Sequence, residues 1–261
     1  MWLSEGNFSY SRVASTPLLH TTMQRLLGVG LAALLCFWGA IYWRAQGDSP
    51  WHRLPSKIET RELHRTSHAF PVTIRAFRAP ASAFRVAGKH YLVASDWLKQ
   101  TKARVVVNGG YFDGDGHPMG LRAGKNVEKT KLRRADWGVF WVKDGVAHLS
   151  HTRDYDSSLR PDEAIQCGPR LVVDGKPTDL KPQWAHRTGV GIDRRGRVVL
   201  AVSEGELSLD EWAKIWASPS GLDCVQALNM DGGPSTQLAV NGEPKMNVNG
   251  GWPVPDVLAF K

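Results

Sequence analysis

An α+β fold is what the sequence predicts: a single domain over residues 70–261, built on a largely antiparallel mixed sheet with a few helices and preceded by one N-terminal transmembrane helix. Three observations carry that expectation. Short apolar runs recur between Gly, Asp and Asn turns. Asp144-Gly145, Asp174-Gly175 and Asn241-Gly242 are dipeptides that tolerate positive φ and close tight hairpins. Helix-start signals are few. The 261 residues are 42% hydrophobic and 22% charged, with 26 Gly and 15 Pro, which excludes a disordered tail protein, a collagen-like repeat and a coiled coil. Eleven Trp suit a core or stacking on a flat ligand.

In chain order, residues 1–25 form an N-terminal segment before the uncharged run Leu26–Trp43, bracketed by Arg25 and Arg44. As a helix the run spans roughly 27 Å, the lower limit for crossing a bilayer, and Trp38, Tyr42 and Trp43 supply an aromatic belt at its end. Met23-Gln24-Arg25 before an apolar stretch also has the layout of a signal peptide with a second start codon. No small-x-small cleavage site follows, and Leu34-Leu35 precede Cys36 where a lipoprotein signal wants a small residue. An uncleaved anchor is therefore expected. Residues 44–69 are polar, basic and without clear periodicity, and read as a linker.

Strands are expected at Val72–Phe77, Ala103–Val107, Gly138–Val142, Leu171–Val173, Val190–Ile192, Val198–Val202, Ala227–Met230 and Gln237–Val240. Ser208-Leu209-Asp210-Glu211 is a capping box opening a helix through Trp216, and Ser95 is expected to cap a short helix through Lys102. Cys167 and Cys224 lie outside the apolar run; they could pair in an oxidising compartment or be small buried residues.

The net charge of +8 invites a nucleic-acid partner. Its distribution argues against one: residues 44–107 hold twelve Lys+Arg against four Asp+Glu, whereas residues 108–261 hold nineteen against twenty. The excess is expected to lie near anionic headgroups, where each basic side chain contributes about 1 kcal/mol. No nucleic-acid binding is expected from residues 70–261.

Four segments carry chemistry. Asn108-Gly109-Gly110-Tyr111-Phe112 ends an apolar strand with a side-chain amide and unshielded backbone N–H groups, an arrangement for oxyanions or a tight turn. Cys167-Gly168-Pro169-Arg170-Leu171 and His186-Arg187-Thr188-Gly189 each place an arginine at a strand mouth, where a guanidinium can fork onto phosphate or carboxylate. Ala227-Leu228-Asn229-Met230-Asp231-Gly232-Gly233-Pro234-Ser235-Thr236 delivers a carboxylate at a strand end beside two glycines and two hydroxyls. Polar groups on four strand ends are expected to converge on one pocket suited to a phosphate-bearing substrate. Asp113-Gly114-Asp115-Gly116 lacks the continuation a calcium loop needs, the His are scattered, and no metal site or cofactor is expected.

The segments NGGYFDGDGHPMGL, QCGPRLVVDGKP, HRTGVGIDRRGRVVLAVS and ALNMDGGPST, in this order, resemble the phosphodiester glycosidase family. The resemblance covers roughly residues 70–261 and implies hydrolysis of a glycosidic bond whose leaving group is a phosphate ester. It implies a site of Asn108, Gly109, Gly110, Arg170, Arg187, Thr188, Asp231, Gly232, Gly233 and Ser235. Pro234 departs from it, standing where many members have a third Gly. Within that reading Arg170 and Arg187 take the phosphate, Asn108 and the glycine N–H groups its other oxygens or the sugar hydroxyls, and Asp231 acts as base or nucleophile. The substrate would be a sugar phosphodiester or envelope glycan, or a glycolipid. The resemblance also points to an inner-membrane anchor through residues 26–43 with the domain on the periplasmic side, although the flanking charges alone favour the reverse. A non-catalytic module binding a phosphorylated glycan in the same pocket is the alternative.

Overall fold

The computed structural model describes Val29, residues 47–54 and residues 57–261. Segment 1–25, the run 26–43 apart from helical Val29, and residues 44–46 lie outside the described residues. Among the described residues no helix is long and apolar enough to cross a membrane. Residues 47–261 form one compact unit.

The strands in chain order are β1 (His52–Arg53), β2 (Glu59–Ser67), β3 (Phe70–Ala79), β4 (Phe84–Ala87), β5 (Val105–Asn108), β6 (Arg122–Ala123), β7 (Gly138–Lys143) and β8 (Val146–His151). They continue with β9 (Glu163–Cys167), β10 (Arg170–Val173), β11 (Lys176–Pro177), β12 (Thr188–Asp193), β13 (Val198–Glu204), β14 (Cys224–Asn229), β15 (Leu238–Val240) and β16 (Val257–Phe260). Two α-helices join them, α1 (Ala94–Thr101) and α2 (Leu209–Ala217). An eight-stranded sheet runs β1-β2-β3-β13-β12-β14-β10-β11, and two four-stranded sheets run β15-β5-β16-β4 and β6-β9-β7-β8. Every ladder among these strands is antiparallel, so the mixed sheet expected from sequence is an antiparallel one.

The strands read as continuous apolar runs because both of their faces are buried. Val105 and Val107 of β5 join the central core between the sheets, while Val106 packs under α1. Val198, Leu200 and Val202 of β13 enter the same core, while Val199 and Ala201 pack under α2. Trp97, Trp212 and Trp216 are fully buried beneath the helices. Asp144-Gly145 and Asp174-Gly175 close hairpins with both residues at positive φ, as their sequence demands.

Two expectations are corrected here. The stretch read as a linker contributes β1 and β2 to the large sheet. On β2, Thr60, Leu63 and Ser67 are buried, with the Thr60 hydroxyl donating to Ala76 O at 3.0 Å, so polar residues occupy inward positions and the apolar period is lost. Charged residues of β2 make cross-strand pairs instead: Arg78–Glu59 at 2.6 Å and Arg75–Glu62 at 3.0 Å. The positive block is thus partly neutralised within the sheet. Secondly, Ser95 does not cap α1. The helix starts after Val93, and its first N–H, of Ala94, donates to Gln237 Oε1 at 2.5 Å, a tertiary bond in place of a local cap. The capping box of α2 forms as expected, with Ser208 Oγ accepting from Glu211 N and Glu211 Oε2 accepting from Ser208 N.

Cys167 and Cys224 are free buried thiols in different layers, the central core and the layer under α2.

Candidate active site

The C-terminal ends of β5, β9 and β14 meet the entrance of β12 where the sheets adjoin, and the four sequence segments do converge there. Asn108 at the end of β5 is fully buried and acts as a hub. Its Nδ2 donates to Asp231 O at 2.8 Å, while its Oδ1 accepts from the Thr188 hydroxyl at 2.6 Å and from Gln237 N at 3.1 Å. The amide and the Thr188 hydroxyl therefore bind protein, not the oxyanion that the strand-end pattern suggested.

Gly109 and Gly110 are likewise committed. Gly109 N donates to Asp256 O at 3.0 Å and Gly110 N to Asp256 Oδ1 at 2.9 Å. A Cβ on Gly109 would collide with Asp256 Oδ1, and one on Gly110 with Arg122 Nη2. Glycine stands at both positions because a buried carboxylate and a guanidinium press against the backbone. Arg122 and Asp256 form an ion pair at 2.9 Å with neither side chain exposed. The remaining guanidinium donors reach Leu121 O, Gln166 O and Tyr111 O at 3.0–3.2 Å.

This platform holds Tyr111, Asn229 and Asp231. Tyr111 Oη donates to Gly168 O at 2.6 Å and accepts from Asn229 Nδ2 at 3.3 Å. Burial pushes its phenol pKa up, and Asp231 adds to that rise while Arg187 opposes it. Asp231 is half-buried. Its Oδ1 accepts from Gly232 N at 3.0 Å, and the Ser235 hydroxyl bonds to the carboxylate. Burial raises the Asp231 pKa, and those two hydrogen bonds pull it back only in part. Ser235 Oγ accepts in turn from Trp252 Nε1 at 3.1 Å.

Arg187 is 4% exposed, with Nε donating to Leu207 O at 3.0 Å and Nη2 to Gln183 O. It has no ion-pair partner among the described residues, and burial lowers its pKa. Arg170 is half-buried at the start of β10, directly after the cis Gly168–Pro169 peptide. Gly232 lies 2.7 Å from His186 O at its Cβ position, whereas Gly233, at φ 57, borders open space. A cleft of about 600 Å³ opens there, lined by His186, Glu204, Glu206, Gly233 and Pro234 against Asn249–Gly251.

Asp231, Gly232, Gly233 and Ser235 thus border the site with Arg187 buried near Tyr111, whereas Asn108, Gly109, Gly110 and Thr188 build the wall behind it. Arg170 starts the adjoining strand, with its Cγ near Gly138. Sequence reasoning missed Tyr111, Asn229, Arg122, Asp256 and Trp252 as members. For Asp256 a weaker signal existed: an Asp stands directly ahead of the apolar run Val257–Phe260, at the opposite end of its run from Asp231. Nothing local marks Arg122, whose partner is 134 residues away. The loop after Tyr111 brings the side chains of Asp113, Asp115 and His117 within 4.8 Å of one another, but all three are exposed and Asp113 Oδ1 accepts from Asp115 N and His117 N.

Comparisons with known proteins agree with this geometry. The phosphodiester glycosidase family profile matches residues 101–261, more than half of the chain. The Escherichia coli (strain K12) uncharacterized protein YigE is 25% identical over 158 residues, 56% of this chain and 61% of that protein. The chain thus spans about three fifths of the length of that relative. The zebrafish N-acetylglucosamine-1-phosphodiester alpha-N-acetylglucosaminidase catalytic domain, auto-inhibited by its pro-peptide, shares the fold at TM-score 0.62 and 20% identity, covering 80% of this chain and 85% of that one. A hypothetical protein from Synechocystis shares it at TM-score 0.54 and 13% identity, covering 81% and 63%. With four ordered motifs on one strand-end site and a profile match through the C-terminus, the chain belongs to the phosphodiester glycosidase family.

Proposed function

We propose that this chain hydrolyses the glycosidic bond of a sugar-1-phosphodiester, from a membrane anchor in residues 26–43 that holds the domain outside the cytoplasm. The observation that carries the chemistry is a half-buried carboxylate of raised pKa, Asp231, sharing the Tyr111 surroundings with a buried guanidinium, Arg187, that lacks a carboxylate partner among the described residues. Family membership supports a glycosidase-type reaction.

The leaving group explains why one carboxylate suffices. Breaking the bond between the anomeric carbon and the phosphate oxygen releases a phosphate monoester, whose second pKa is about 6, so it departs without being protonated. What the site must supply is an activated water and charge complementarity to an oxocarbenium-like sugar and a departing phosphate. Asp231, made more basic by burial, takes the proton of the water that attacks the anomeric carbon. Arg187 and Arg170 face the phosphate charge, with the Tyr111 hydroxyl beside them. Ser235 holds the Asp231 carboxylate in place and is itself fixed by Trp252.

Asp231→Asn tests this on the full chain with a chromogenic glycosyl phosphodiester. Turnover should fall by roughly 10²–10⁴-fold with the melting temperature little changed. Full activity of the variant overturns the assignment. A wild-type protein whose melting temperature rises with the ligand while no sugar is released is a binder instead. Inverted product stereochemistry is expected from Asp231 as base, and retention would make it the nucleophile.

A further inference from the structure

Aromatic side chains gather at one end of the large sheet, where the chain enters the domain. Residues 48–49 run alongside β2: Ser49 N donates to Glu62 O at 2.9 Å, and Asp48 Oδ1 accepts from His64 N at 3.0 Å and pairs with Arg65 at 2.7 Å. That antiparallel course carries Gly47 toward the β2–β3 turn. Gly47 follows Trp43, the last residue of the uncharged run, by four positions, a reach of at most about 14 Å of extended chain.

The turn itself is unusual. His68 and Ala69 both hold positive φ, 48° and 66°, where glycine or asparagine is the ordinary choice. Phe70 behind them is 72% exposed, and the His68 ring lies 4.3 Å from the ring of Trp184, itself 40% exposed. Trp184 precedes the cleft residue His186 by two positions, and Gly205, between Glu204 and Glu206, packs against Pro71 and Val72. The opposite wall of the cleft leads into Trp252, 47% exposed. Of the five large hydrophobic side chains exposed in residues 47–261, three therefore surround the cleft or the adjoining turn. Amphipathic aromatic rings and an apolar tip are what partition to a membrane–water interface. A protein partner would leave unexplained why the patch lies at the end of the sheet toward which Gly47, four residues after the uncharged run in sequence, is carried.

We propose that the end of the domain carrying His68–Phe70 and Trp184 rests on a lipid bilayer, and that the adjoining cleft takes a sugar phosphodiester whose leaving group is a membrane lipid. The second half rests on the hydrolase reading above; the first does not. The lipid stays in the bilayer while its phosphosugar enters the cleft at Gly233, two residues from Asp231.

The test uses the full chain with Cys36→Ser, a cysteine introduced by Phe70→Cys or by Val146→Cys, and a polarity-sensitive fluorophore on it. Cys167 and Cys224 are buried and stay unlabelled. Val146 is the control: it is 54% exposed at the start of β8, which packs near the turn after the far end of β3. That places it roughly 30 Å along the sheet from Phe70. In phosphatidylcholine vesicles with brominated acyl chains, the label at 70 should be quenched at least threefold more than the label at 146. Equal quenching, or a chain that does not float with the vesicles, overturns the bilayer contact. For the substrate, the double variant Phe70→Asp/Trp184→Ser should lose at least tenfold activity on a lipid-linked sugar phosphodiester in vesicles. On a short-chain soluble analogue it should stay within twofold of wild type. Parallel losses or no loss overturn the substrate assignment. Wild type that cleaves neither compound overturns the hydrolase reading together with the substrate assignment, the bilayer contact being decided by quenching alone.

Discussion

Asp256 does three things at once: its backbone carbonyl and one carboxylate oxygen accept from Gly109 and Gly110, and its other oxygen pairs with Arg122. A buried ion pair with every donor placed gives modest net stability, but removing one partner leaves an uncompensated charge. Arg122→Met should therefore cost about 3–5 kcal/mol. For a domain of this size that is a fall in melting temperature of about 10 °C or more, read by thermal denaturation. Because the same carboxylate holds the strand end that carries Tyr111, activity should fall more than stability explains. Arg187 and Arg195 supply a second comparison. Arg187 is buried by the site, whereas Arg195 sits in the exposed β12–β13 turn. Arg187→Ala should raise KM for a glycosyl phosphodiester at least tenfold, with Arg195→Ala near wild type. Equal effects would remove Arg187 from phosphate binding.

At the scale of elements, β12 shows why glycines interrupt an apolar strand. The Cβ positions of Gly189 and Gly191 lie 2.6 and 2.7 Å from the Trp216 ring, so the strand must be bare for α2 to lie on it. Gly191→Ala would also press on Gln226 O at 2.8 Å and should cost about 1–3 kcal/mol, seen as a lower denaturation midpoint with fold and activity retained. Glu163 ties β9 to β4 by accepting from Val86 N at 2.9 Å. Burial raises its pKa from 4.5 to about 7, with the Val86 N–H and Arg85 opposing that rise. Since the folded value exceeds the unfolded one, the native state binds the extra proton between these pH values. Its stabilisation is fully present below about pH 4.5 and is lost as pH rises through about 7. Melting temperature should therefore decline across that window, and Glu163→Gln should flatten the decline; an unchanged slope would mean another group is responsible.

At the scale of the whole domain, among the described residues of 47–261, three antiparallel sheets surround a central core, with α1 and α2 packing further clusters on outer faces. Cys167 sits in that core, where burial raises its thiol pKa to about 12, and burial also raises that of Cys224. Reactivity needs the thiolate and access to it, so neither thiol should react with a maleimide in the native protein at pH 8. In the Cys36→Ser protein, labelling should appear only along the unfolding transition, and a reductant should leave the melting temperature unchanged. Rapid native labelling of either cysteine would contradict this packing.

The strands around the site were legible because they are buried on both faces, so their apolar runs stand out between turn residues. The capping box of α2 was legible because both of its bonds lie within four residues. The Asp231, Arg170 and Arg187 positions were legible as polar residues at the mouths of such runs. What lies beyond local chemistry was decided by the tertiary structure. Strand β2 was hidden because its inward positions hold Thr60 and Ser67, which only the neighbouring strand satisfies or shields. The start of α1 depends on Gln237, more than a hundred residues away. Asn108, Gly109 and Gly110 looked like ligand donors because their partners, Asp231, Thr188 and Asp256, arrive only when the sheets assemble. The sequence by itself thus determined which strand ends carry chemistry and which family they belong to. Only the folded chain determined which polar groups stay open toward a substrate, because a hydrogen bond satisfied across sheets leaves no local trace.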